Sequence, residues 1–226
     1  MKRYAKIYNG FKREALLLRG TGCFYKKCLF CDYYHDASDD PFPENKVEIY
    51  KLTGEFGVLD VINSGSVHEI DLKTLELLRQ TADKKQIEVI WFEAHYAYRD
   101  QLSRIRRFFP NQTVKFRTGA ESFDYDFRLK MRKGMPDVTP DEIRRYFEGV
   151  CLLVGTRGQT KEGILRDVFT AARLFEYFSV NLFCPNSTVV ERDETLAAWV
   201  RDYLRDITAK LPNCEMLIAN TDLGLG

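Results

Sequence analysis

The 226-residue chain contains no apolar run approaching the roughly 18 residues that a bilayer-crossing helix needs. Its basic start, MKRYAKIYNGFKREALLLRG, lacks the long apolar core and cleavage site of a secretory leader. No membrane partner is expected, and the expected location is cytoplasmic. Charge of one sign is also missing: 34 basic and 33 acidic residues leave a formal net charge of +1, so composition announces neither a polyanion binder nor an acidic tail. There is no internal repeat, no low-complexity linker, and no basic stripe interleaved with aromatics of the kind that grips single-stranded nucleic acid. Nucleic acid is therefore not an expected partner. Six cysteines in a reducing compartment argue against a disulfide framework. The length suits one α/β domain over residues 1–226 with a substantial core, and is too short for two comfortable ones.

What is present is an alternation of short apolar runs and amphipathic stretches. Strands are expected at residues 15–19, 57–63, 87–93, 114–119, 150–155, 180–183 and 214–219. Helices are expected at 71–84, 101–109, 122–132, 139–147, 160–178 and 192–210. The run Leu72, Leu75, Leu78 and Ala82 falls on one helical face, and Thr139-Pro140-Asp141-Glu142 reads as an N-cap with proline at the first helical position. Six or more strand–helix alternations imply an α/β fold with a parallel sheet and right-handed crossovers, as a barrel or an open sheet. In either architecture chemistry gathers just beyond the carboxyl ends of the strands. Those positions are polar here: Thr21, Asn63-Ser64-Gly65-Ser66, Glu93 with His95, Glu121-Ser122, Gly155-Thr156-Arg157 and Pro185-Asn186.

The first of these rim segments, GTGCFYKKCLFCDYYHD, places Cys23, Cys28 and Cys31 within nine residues. Soft thiolates select zinc or iron–sulfur clusters over hard cations. His35 could complete a zinc site with the three cysteines, which would make the chain a non-catalytic zinc-binding interaction module. Structural zinc loops usually bring their ligands as two separated pairs, however, whereas these three stand on one loop. A [4Fe–4S] cube normally takes four thiolates; held by three, it leaves one iron open to another ligand. Cys151, Cys184 and Cys214 are far apart in apolar surroundings and are expected to be buried core residues rather than ligands of a second cluster.

This loop resembles the cluster-binding loop of the radical S-adenosylmethionine (SAM) enzymes, in which three cysteines hold a [4Fe–4S] cluster and the open iron chelates SAM. The usual spacing is three residues and then two; here the first gap holds four, residues 24–27. Phe30 stands where the family carries an aromatic whose backbone contacts adenine. The stretch VINSGSVHEID resembles the second-strand segment that meets the SAM amino group, with Ser64, Gly65 and Ser66 in the matching place. VKFRTGAESFDYDFRLKMRKGM resembles the fourth strand and its helix. There Glu121, next to Ser122, would hold the ribose hydroxyls, and Arg128 or a neighbouring cation the SAM carboxylate. Glu93 in VIWFEAH would be a second polar partner, and the backbone of Val154 and Gly155 would flank adenine. The resemblance covers residues 14–190 and implies a partial (β/α)6 TIM-like barrel, one [4Fe–4S] cluster, bound SAM, and an electron donor such as flavodoxin or ferredoxin. Reductive cleavage of SAM would give a 5′-deoxyadenosyl radical that abstracts hydrogen from a substrate.

For the substrate the residues are less explicit. Tyr33, Tyr34 and His35 follow the cysteine loop and could stack on a planar base or pack the barrel top. Asn186, Asn220 and Asp222 lie beyond the last two strands, where acceptors beside aromatics suit the amino and ring N–H groups of a guanine-like base. Within the family the chain looks most like small, single-domain carbon–nitrogen lyases of 7-deazaguanine bases. A member that modifies tRNA or a protein side chain is the alternative.

Overall fold

The computed structural model of the protein describes residues 1–225. Eight strands are formed: β1 Tyr4–Ile7, β2 Arg13–Leu18, β3 Val58–Asn63, β4 Val89–Glu93, β5 Thr113–Glu121, β6 Gly149–Val154, β7 Tyr177–Leu182 and β8 Cys214–Leu217. The helices are α1 Phe42–Ile49, α2 Leu72–Lys84, α3 Leu102–Phe108, α4 Tyr125–Lys130, α5 Pro140–Arg144, α6 Lys161–Leu174, α7 Glu194–Trp199 and α8 Arg205–Thr208. A π-helical turn, Val200–Leu204, joins the last two. The fold class is α/β: six strand–helix steps run from β2 and are completed by β8. Among the described residues, no helix is long and apolar enough to cross a membrane.

The chain divides into two compact units. One comprises residues 1–24, 33–116 and 221–225, the other residues 25–32 and 117–220. In the first, strand order follows chain order, with β1 antiparallel to β2 and β2, β3 and β4 parallel. The hairpin of β1 and β2 turns through Asn9-Gly10, where Gly10 has φ 64°, a conformation that glycine adopts without steric penalty. Leu16, Leu18, Leu59, Val61, Ile90 and Phe92 are buried, and Phe92 packs on Phe109 at 5.4 Å between ring centroids. In the second unit the end of β5, then β6, β7 and β8, are parallel neighbours in that order. Its core is the near-continuous apolar β6 with Phe178 and Val180 of β7 and Ile164 and Val168 of α6. Strands covered on both faces require that composition.

The N-cap expected at Thr139 forms, and Asp71 supplies another that the sequence reading did not name. Asp71 Oδ1 accepts from Thr74 N at 2.9 Å, and Thr139 with Glu142 makes a reciprocal capping box ahead of Pro140. Two elements were not foreseen, β1 and α1. The latter places the fully buried Asn45 against the end of β2, where its amide both accepts from Arg19 N and donates to Arg19 O, at 2.9 Å each. The helix expected over 160–178 ends at Leu174, because Tyr177 and Phe178 enter β7. Cys151, Cys184 and Cys214 are only half-buried, short of the full burial expected, and none of the six cysteines forms a disulfide. Burial pushes the Cys214 thiol up to about 12, which keeps it protonated.

Glu14, on β2, is fully buried and accepts from Tyr4 Oη at 2.5 Å, Thr53 N at 2.9 Å, Thr53 Oγ1 at 2.7 Å and Gly54 N at 2.8 Å. Burial alone would raise its pKa. These donors outweigh that, and the carboxyl lies below the usual range. Its stabilisation is thus present above the ordinary carboxylate pKa and is lost as pH falls through the depressed folded value. Glu14→Ala leaves the Thr53 and Gly54 amides unpaired, and should cost about 2–4 kcal/mol in urea unfolding at neutral pH. The difference from wild type should narrow in acid; a constant difference down to the acid transition contradicts this account.

Candidate functional site

In the first unit, the chain leaves β2 through Gly20 and begins the cysteine loop directly over Glu69. Thr21 N and Thr21 Oγ1 donate to the Glu69 carbonyl at 2.9 and 3.1 Å. The Glu69 carboxylate itself is 9% exposed as part of its residue, and accepts from Phe24 N at 2.8 Å, Ser66 N at 2.6 Å and Tyr98 Oη at 3.2 Å. It therefore ties the residue after Cys23 to the exit of β3 and to the segment after β4. Burial, with the nearby Glu69 and Cys23, pushes the Tyr98 phenol up to about 12. Tyr98 stacks on His68 at 4.3 Å, and the Phe24 ring meets His95 and Tyr98 edge-on at 5.5 and 5.0 Å.

The β3 exit is drawn into the same network. Ser66 Oγ accepts from His95 N at 2.9 Å, Ser64 Oγ donates to Asp36 O at 3.0 Å, and Asn63 Nδ2 donates to Ser66 O at 3.1 Å. A Cβ on Gly65 would lie 1.9 Å from Glu69 Oε2 and 3.3 Å from Cys23 Cα, so glycine lets the carboxylate and the cysteine backbone close over this position. Glu93 ends β4 and is half-buried. Tyr33, Tyr34 and His35 form a single 3-10 turn; the Tyr33 side chain is 61% exposed, and the Tyr34 and His35 rings lie 4.3 Å apart.

In the second unit, the rest of the cysteine loop is held by several independent contacts. Leu29 N donates to Met131 O at 3.0 Å, Asn186 Nδ2 to Phe30 O at 2.8 Å, and Ser187 N and Oγ to Asp32 Oδ2 at 3.0 and 2.8 Å. Asn186, expected at a substrate, is thus a brace of the loop. Lys133 Nζ stands 2.8 Å from Glu121 Oε1 and 5.6 Å from the centre of the Phe30 ring. Burial lowers the lysine's pKa, but Glu121 and the Cys28 and Cys31 thiols outweigh it, and the net shift is upward. A Cβ on Gly119 would lie 2.4 Å from Glu121 Oε1 and 2.8 Å from Lys133 Nζ. Only glycine leaves room for the pair.

Glu121 has φ 63°, and Ser122 N donates to Ala120 O at 2.8 Å across it. This is a γ-turn of the strained type, centred on a residue that is not glycine, and it coincides with a register shift between β5 and β6. Such a conformation costs of order 1–3 kcal/mol and persists only where its surroundings hold it. Arg128 is 1% exposed and donates to the carbonyls of Ser122, Pro136 and Val138 at 3.0, 3.2 and 3.3 Å. The cation that faces the Glu121 carboxylate is Lys133. Val154 and Gly155 are buried at the end of β6, where their carbonyls accept from Phe183 N and Asp193 N at 2.8 and 2.9 Å. Asn220 and Asp222 are exposed beyond β8.

Sequence reasoning missed Glu69 and covered Lys133 only as an unnamed cation neighbouring Arg128. The Ser66-Val67-His68-Glu69 capping-box pattern was a signal for the first. Among the described residues, no three His, Cys, Asp or Glu side chains converge on a point suited to one metal ion. Three cysteines on one loop are the donor type such a cluster takes, and a largely buried cation beside Cys28 and Cys31 suits the negative charge of thiolates. The donor set therefore fits the cluster.

A (β/α)6 arrangement that carries a three-cysteine loop beyond its first parallel strand is the fold and loop of the radical SAM enzymes. Structural comparison finds a queuine lyase from Clostridium spiroforme, bound to SAM and queuine. It superimposes with a TM-score of 0.95 at 34% sequence identity, over 100% of this chain and 99% of that one. The chain belongs to the queuine lyase family of radical SAM enzymes. No protein-family model and no curated protein matches it.

Gly65→Ala should force the Glu69 carboxylate out of its place and cost about 2–4 kcal/mol. Urea unfolding measures this, and a loss below about 0.5 kcal/mol would remove Glu69 from its central place.

Proposed function

We propose that this chain is a queuine lyase, which cleaves the C–N link between the cyclopentenediol of queuine and its 7-deazaguanine part and releases the aminomethyl base preQ1. The observation that carries the reading is the full-length likeness to a queuine lyase at 34% identity. Cys23, Cys28 and Cys31 would hold one [4Fe–4S] cluster, and an electron donor such as flavodoxin or ferredoxin would serve it. When bound, cluster and SAM together supply reductive cleavage of SAM and a 5′-deoxyadenosyl radical that abstracts hydrogen from queuine.

The chain's own residues bind and orient. Lys133 offers the Cys28 and Cys31 thiolates a buried positive charge and holds the Glu121 carboxylate for the ribose hydroxyls of SAM. It is also the cation best placed for the SAM carboxylate, since the Arg128 guanidinium donates to three carbonyls. Ser64, Gly65 and Ser66 would meet the SAM amino group, toward which the Ser64 hydroxyl, donating to Asp36 O, keeps acceptor lone pairs. Glu93, Ser122, Val154 and Gly155 complete the proposed SAM contacts. For the base, the exposed Tyr33 with Tyr34 and His35 offers stacking surface, Asn220 and Asp222 offer acceptors, and Asn186 acts through the loop at Phe30. Residues 1–226 would work as one catalytic domain.

Anaerobically reconstituted protein should bind about four irons per chain, and Cys28→Ala should bind fewer. With queuine, SAM and a reductant it should release preQ1 together with 5′-deoxyadenosine. About eight irons would refute the single cluster. Absence of both products with an intact cluster would refute the lyase assignment and leave the family membership standing.

A further inference from the structure

Asp167 is a buried carboxylate on α6 for which the proposed chemistry has no task. It lies 6% exposed, and its Oδ2 accepts from Ser122 Oγ at 2.5 Å. Every polar group of Ser122 is occupied. Its N donates across the γ-turn to Ala120 O at 2.8 Å, its Oγ also accepts from Asp124 N at 3.0 Å, and its carbonyl accepts from Arg128 Nη1 at 3.0 Å. Arg128 is fixed in turn by the carbonyls of Pro136 and Val138. Asp167 stands on a 14-residue helix, capped by Thr160 and packed through Ile164, Val168 and Ala171, and so supplies a rigid anchor. Ser122 is thereby gripped from two sides immediately after the strained residue.

We propose that Asp167, through Ser122, is a positioning residue that keeps Glu121 in its left-handed turn and so aims the Glu121 carboxylate at the bound nucleoside. The inference rests on the reading of Glu121 as the ribose contact. Glycine would occupy φ 63° without penalty, yet the chain places a glutamate there; a carboxylate is needed at that point, and something must hold its backbone. Released from the clamp, Glu121 would relax to negative φ, lose its register against Leu152 of β6, and turn away from Lys133. Burial pushes the Asp167 carboxyl above its usual range, while hydrogen bonds from Ser122 and the Phe123 backbone oppose the shift.

Two measurements on the reconstituted protein test this. The first is SAM affinity by calorimetry. Glu121→Ala should weaken binding about ten-fold or more, Asp167→Leu should do so within about three-fold of the same extent, and the double variant should be no worse than Glu121→Ala. Asp167→Asn, which keeps an acceptor oxygen, should retain most of the affinity. The second is melting temperature. Glu121→Gly should melt above Glu121→Ala, because glycine relieves the strain, and in the Asp167→Leu background that gap should vanish. Ser122→Ala substitutes for Asp167→Leu in both measurements should the latter fail to fold. If Glu121→Ala binds SAM as wild type does, the ribose reading fails and the proposal with it. If Glu121→Ala is weakened but Asp167→Leu is not, or the melting gap persists, the clamp alone is overturned.

Discussion

The carboxylate of Glu69 is the joint on which the rim of the first unit depends. Its two oxygens accept from the backbone of Phe24 and of Ser66 and from the Tyr98 hydroxyl, while its own carbonyl accepts from Thr21. Three stretches far apart in sequence, beyond β2, β3 and β4, thus share one acceptor. A carboxylate with so little exposure is tolerated because charged-acceptor hydrogen bonds replace much of its lost hydration. The same contacts fix the backbone on either side of Cys23. The glycine at 65 is a consequence of that arrangement, since any side chain would collide with the carboxylate.

The second unit solves a related problem with the opposite sign of charge. Lys133 is largely buried, and loss of water alone would disfavour its proton; the Glu121 carboxylate and the Cys28 and Cys31 sulfurs reverse that. A cation held in this way presents a fixed positive field to the stretch of loop that carries Cys28 and Cys31. The loop's backbone meanwhile is fastened by amides and hydroxyls, at Leu29, Phe30 and Asp32, so charge and position are set by different groups. Glu121 holds a strained turn one residue from a serine with no free polar group.

Much of this was legible in the sequence. Apolar runs such as GVCLLV and the cap at Thr139 mark elements through local physics, and they appear within a few residues of the expected places. The cysteine loop, the Ser-Gly-Ser exit and Glu121 are recognisable by residue type and order. The short strand β1 was hidden because YAKI carries lysine and tyrosine, and its partner is found only across a hairpin. Helix α1, with FPENKVEI, has little apolar periodicity, and it is placed by the buried amide of Asn45 against β2. Arg128 and Asn186 have the chemistry of ligand contacts. Which carbonyl each one meets is decided by tertiary packing, which spacing does not encode.

The loop's unusual first gap has a backbone counterpart. Within residues 24–27, Lys26 adopts φ 50°, a left-handed residue that reverses the chain locally. An added residue can be taken up by such a kink without displacing what flanks it, as a slack link shortens a chain. A metal cluster constrains where its sulfur atoms lie and is indifferent to how many peptide bonds separate them. Motif definitions written as fixed residue counts will therefore pass over any loop that brings its cysteines to a cluster by a longer path.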